Sequence, residues 1–82
     1  MAEKTDYSAQ LSRDEAADLV QELAQEIRGE GPAEVGVGNK LLTLSPPPEL
    51  EYEVEVEERS PMLRGPREKI TVTLEWKLEK EP

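Results

Sequence analysis

Ten residues near the C-terminal end of the chain alternate without a break: Lys69-Ile70-Thr71-Val72-Thr73-Leu74-Glu75-Trp76-Lys77-Leu78. A strand sends successive side chains to opposite faces. Ile70, Val72, Leu74, Trp76 and Leu78 therefore share one face, and Thr71, Thr73, Glu75 and Lys77 share the other. On a helix the same apolar residues would be scattered around the circumference. The tract specifies a sheet that is buried on one side only. A second tract keeps the same period with glutamate in the polar places. Leu50, Tyr52, Val54 and Val56 face one way, and Glu49, Glu51, Glu53, Glu55 and Glu57 face the other.

Upstream the period changes to that of a helix. Ser12-Arg13-Asp14-Glu15 has the form of a capping box, in which the Ser12 hydroxyl accepts from the Glu15 backbone and the Glu15 carboxylate accepts from the Ser12 N–H. Ala16, Leu19, Val20, Leu23 and Ile27 then recur at three- and four-residue spacing. This predicts a helix from Arg13 to about Arg28 with one apolar face. Gly29 and Gly31 supply the stop, and Pro32 prevents continuation. Tyr7 and Leu11 are the sizeable apolar residues of the lead-in, and either suits a place beside the helix start.

Between helix and strands, Ala33 to Leu44 reads as a hairpin turning at Gly38-Asn39, with the turn type open. Ser45-Pro46-Pro47-Pro48 follows as an extended connector, since proline has no N–H for a ladder. Glu49 to Glu58 is the next expected strand, Arg59 to Arg67 a loop, and about Glu68 to Leu78 the last strand. The expected architecture is α+β, one N-terminal helix packed on a three- to four-stranded antiparallel sheet as a small two-layer sandwich. Residues 1–11 are expected as a flexible lead, 12–78 as a single domain and 79–82 as a frayed end. The expected core comprises Ala16, Leu19, Val20, Leu23 and Ile27 of the helix with the inward residues of the strands, including Val35, Leu42, Tyr52, Val54, Val72 and Trp76.

Composition closes off several kinds of chemistry. The 82 residues include no cysteine and no histidine. Thiolate nucleophiles, disulfides, cysteine zinc sites and the usual general base are absent with them. No nucleophile–base set stands out, so catalysis, a cofactor and a metal site are not expected. No apolar run is long enough to span a membrane, and the N-terminus lacks the basic start and apolar core of a signal peptide. A cytoplasmic location is the expectation. Nineteen acidic residues stand against ten basic ones, a net charge of -9. Such a surface repels phosphate backbones, which argues against nucleic acid as a partner.

The order of these segments resembles that of the amphi-Trp domain proteins, from about Leu11 to Leu78. Ser12-Arg13-Asp14-Glu15-Ala16-Ala17 is similar to that family's helix opening. Pro48-Glu49-Leu50-Glu51-Tyr52-Glu53-Val54-Glu55-Val56-Glu57 is similar to its acidic strand, and Thr73-Leu74-Glu75-Trp76-Lys77 to its tryptophan segment. The resemblance implies a helix followed by amphipathic strands and carries no particular activity with it. The stretch Ser60 to Arg67 is longer than the family pattern implies.

Three features are candidates for a site. Glu49, Glu51, Glu53, Glu55 and Glu57 form a row of carboxylates about 6.5–7 Å apart along the strand. A solvated face relieved by neighbouring Lys and Arg is the plain reading of that row, contact with a basic protein a sharper one, and weak cation binding a third. Trp76 suits a core position, a homodimer contact or a ligand platform. Arg59, Arg64 and Arg67 form a small basic patch beside Met62 and Leu63. Together these point to a small non-catalytic interaction or adaptor domain whose partner is an unknown protein or a second copy of itself as a homodimer. The alternatives are an acidic mimic of nucleic acid that occupies a basic protein, and a structural component of a homo-oligomer.

Overall fold

The computed structural model describes residues 3–60, 62 and 65–78. It contains one helix, α1 (Arg13–Arg28), and four strands, β1 (Ala33–Val37), β2 (Lys40–Leu44), β3 (Glu51–Arg59) and β4 (Arg67–Glu75). The fold class is the expected α+β arrangement, an N-terminal helix with four antiparallel strands paired in sequence order. The strands make two two-stranded sheets, β1-β2 and β3-β4. The chain divides into two compact units between Pro46 and Pro47, within the run of prolines that cannot donate to a ladder.

In the first unit the capping box forms as the sequence specifies. The Glu15 N–H donates to Ser12 Oγ at 3.1 Å, and the Ser12 N–H donates to Glu15 Oε1 at 3.1 Å. The Ala16 N–H donates to the Ser12 carbonyl at 2.9 Å and begins the helical ladder. Asp14 and Glu15 lie in the first turn and Arg28 in the last, each suited to the helix dipole. Gly29 ends the helix in an extended conformation at φ -69°. The left-handed residue of this turn is Gly31, at φ +86°.

Helix α1 packs on β1. The contact is tied by the Glu34 N–H, which donates to Glu26 Oε1 at 2.8 Å. In the β1–β2 hairpin Val35 stands opposite Leu42, and Val37 opposite Lys40. Positive φ occurs at Gly38 (+65°), whereas no non-glycine among the described residues has it. A positive φ at the first central residue alone is the pattern of a type II′ turn. The ring of Tyr7 lies over Gly38, at this turn and not beside the helix start.

The core differs from the expected one. Among the described residues the one buried apolar residue is Ala33, which the periodicity did not single out. Leu19, Val20 and Leu23 stay exposed, and Ile27, Val35 and Leu42 are half-buried. The physical reason is size. A helix on one hairpin, or a hairpin alone, has too little surface to enclose large side chains.

Candidate functional site

The second unit carries all the described candidate residues. Strands β3 and β4 pair antiparallel, with Tyr52 opposite Leu74, Val54 opposite Val72 and Val56 opposite Ile70. These six side chains occupy one face, because residues directly opposite in a ladder point to the same side. The face is bare. Exposure runs from 50 % at Val54 to 73 % at Ile70, and Tyr52, Val56 and Val72 fall between; Leu74 is half-buried. Glu58 opposite Glu68 closes one end of it.

The other face is polar, and its charge is sorted along the strands. At one end Glu51 stands opposite Glu75, Glu53 opposite Thr73 and Glu55 opposite Thr71. At the other end Glu57 stands opposite Lys69, and Arg59 opposite Arg67. Arg59 grips Glu57 in a fork. Its Nε donates to Glu57 Oε2 at 3.0 Å and its Nη2 to Glu57 Oε1 at 3.3 Å. Both groups are well exposed, so this ion pair stabilises the fold by about 0–1 kcal/mol. It matters more for the distribution of charge. Glu57 is paired with Arg59 and stands opposite Lys69, whereas Glu51, Glu53, Glu55 and Glu75 have no cation opposite them. The polar face thus has an acidic end and a basic end.

The boundaries of the strands correct the expected row of carboxylates. Glu49 lies before β3, leaving Glu51, Glu53, Glu55 and Glu57 on the strand. β4 ends at Glu75, so Trp76 follows the strand and is half-buried. Glu49, Leu50 and Glu51 gather with Glu75, Trp76 and Lys77 around one shallow hollow. Arg59 and Arg67 meet at the far end of the ladder, and Met62 beyond them is fully exposed. Arg64, Leu63 and the expected frayed end, residues 79–82, lie outside the described residues. Periodicity identified the two faces. It gave no sign that charge is sorted along the polar one, since that depends on which residues the register sets opposite one another.

Helix, Gly-Asn hairpin, acidic strand and terminal tryptophan segment are thus present in the order the resemblance implied, and the family model of the Amphi-Trp domain matches residues 1–82. The chain belongs to the Amphi-Trp domain family. Comparison with curated proteins and with solved structures gives no match. This Amphi-Trp domain has no histidine or cysteine, and among the described residues no group of acidic side chains is placed to hold a metal ion. Among the described residues no helix is long and apolar enough to cross a membrane.

Proposed function

We propose that this Amphi-Trp domain is a small interaction or adaptor domain that works in the cytoplasm and meets another protein through its β3–β4 hairpin. The observation that carries the reading is the apolar face of Tyr52, Val54, Val56, Ile70, Val72 and Leu74, uncovered within its own unit, on a sheet of two strands. A two-stranded hairpin is marginally stable by itself in water, and clustered apolar side chains at its surface mark a place where another molecule binds. The sorted polar face supplies direction, because a partner approaching the hairpin's edge meets acid at one end and base at the other. Trp76 and the carboxylates around it extend the surface past the end of β4.

The second reading is the acidic mimic that occupies a basic protein. It is favoured by Glu51, Glu53, Glu55 and Glu75, which cluster with no cation opposite them. The engagement of Glu57 by Arg59 confines that reading to one end of the hairpin.

Affinity capture with the tagged chain from its native lysate, at low and high salt, separates the two. Wild type is compared with Val54→Asp/Val72→Asp and with Glu53→Gln/Glu55→Gln. Contact through the apolar face predicts a stoichiometric partner that survives high salt and is lost with the aspartates. Loss at high salt and with the glutamines, but not with the aspartates, would replace it with the mimic. Capture unaffected by either pair of substitutions would end both readings.

A further inference from the structure

The sheet of β3 and β4 has two strands, so both are edges. An open edge presents a row of backbone N–H and C=O groups to any further strand. The two edges differ in what a second copy of the chain would meet. Along β3 the polar positions are Glu51, Glu53, Glu55 and Glu57. A two-fold pairing of β3 with itself centred on Val54 sets Glu53 against Glu55 and Glu51 against Glu57. Centred on Glu55, it sets Glu55 against its own copy and Glu53 against Glu57. Like charges directly opposite destabilise a strand pair, so this edge is guarded against self-association.

β4 is self-complementary. We propose that two copies of this chain pair edge to edge through β4, antiparallel and centred on Val72, to form one four-stranded sheet in the order β3-β4-β4-β3. The inference rests on the reading of this hairpin as the docking surface and names the partner as a second copy. In this register Val72 meets Val72, Ile70 meets Leu74 and Thr71 meets Thr73. Lys69 meets Glu75 of the second copy, and the two-fold axis repeats that pair at the other end. Arg67 lies diagonal to the same glutamate, within reach of a long side chain, and its direct opposite, Lys77 of the second copy, lies past the end of β4. The basic end of each polar face is thus set beside the acidic end of the other.

The pairing also keeps the apolar face continuous, with six side chains from each copy on the same side. A slip of one residue would set Thr71 against Val72 and mix the faces, which the period of two forbids at high cost. A slip of two residues toward Glu75 sets Lys69 against Lys77. A slip of two toward Arg67 exchanges Lys69–Glu75 for Arg67–Glu75 and leaves Lys69 against Thr73, so sensitivity to Lys69→Glu separates that register from this one. Four strands in place of two take the sheet past the width at which a strand assembly becomes independently stable. The arrangement is isologous, the usual form of a two-fold dimer.

Sedimentation equilibrium of the full chain across protein concentration tests this, with charge swaps at the predicted contact. The wild type is expected to pass from monomer to dimer as concentration rises. Glu75→Lys places two cations opposite each other at both ends of the contact and is expected to weaken dimerisation about tenfold. Lys69→Glu is expected to do the same, and the double variant Lys69→Glu/Glu75→Lys to restore the dimer. Within one hairpin Glu75→Lys removes the Glu51–Glu75 repulsion, so a thermal midpoint by circular dichroism no lower than that of the wild type at dilutions where both are monomeric separates lost pairing from lost folding. A monomer at every concentration overturns the proposal, as does a dimer that Glu75→Lys leaves unchanged or that the double variant fails to restore. A monomer that still captures a different protein through Val54 and Val72 leaves the docking reading standing and removes this one.

Discussion

Ser12 and Gly38 show how single side chains set the first unit. The Ser12 hydroxyl satisfies one of the helix's unpaired N–H groups, and Glu15 returns the bond to Ser12. Ser12→Ala removes one acceptor and loosens the other, and urea unfolding is expected to show a loss of about 1 kcal/mol. A loss of a few tenths or less would mean that the helix is held by its packing and not by its cap. Gly38 is constrained twice. Its φ of +65° lies in the left-handed region, and a Cβ there would stand 2.8 Å from Cδ1 of Tyr7. Gly38→Ala is expected to destabilise by about 1–2 kcal/mol from the backbone alone, with displacement of the Tyr7 ring in addition. Gly36→Ala is the control, since nothing lies within 4 Å of a Cβ at that position. The capping box and the Gly-Asn turn were legible in the sequence because each is a contact between near neighbours, settled by residue type and spacing. The contact of Tyr7 with Gly38 spans thirty-one positions, and no periodicity reports it.

At the scale of elements, amphipathic period placed α1 from Arg13 to Arg28 and put Tyr52, Val54, Val56, Ile70, Val72 and Leu74 on one face. It did not say what covers a face. The alternation from Ile70 to Leu78 looks uniform, yet β4 stops at Glu75 because its partner β3 begins at Glu51. Ladder ends depend on where both strands start, and the lead into β3 is proline-rich. The expected helical core was misjudged for a related reason. Leu23 has an apolar position on the helix but is 38 % exposed. Leu23→Ala is therefore expected to cost about 1 kcal/mol in urea unfolding, below the ~2–5 kcal/mol of a fully buried leucine. A loss inside that higher range would mean that α1 is enclosed in solution.

At the scale of the molecule, charge acts against compactness. A net charge of -9 on 82 residues is a self-repulsion that salt screens. Raising salt from about 0.05 to 1 M shortens the screening length several-fold and is expected to raise the thermal midpoint. A gain of about 1 kcal/mol corresponds to ~4–8 °C in a domain of this size. A midpoint that falls with salt would show that attractive pairs such as Arg59–Glu57 outweigh the repulsion. The same sorting of charge makes one edge of the hairpin hostile to its own kind and the other receptive, so association and solubility are set by the same few residues.

The central claim is that the free edge of β4 is where this domain meets a second copy. Residue-resolved amide hydrogen exchange at low and high protein concentration tests it most directly. Protection is predicted to rise with concentration at alternate amides of β4 on either side of Val72, while the outer edge of β3 exchanges at one rate throughout. Exchange in β4 that is independent of concentration, or protection that appears on β3 instead, would contradict it.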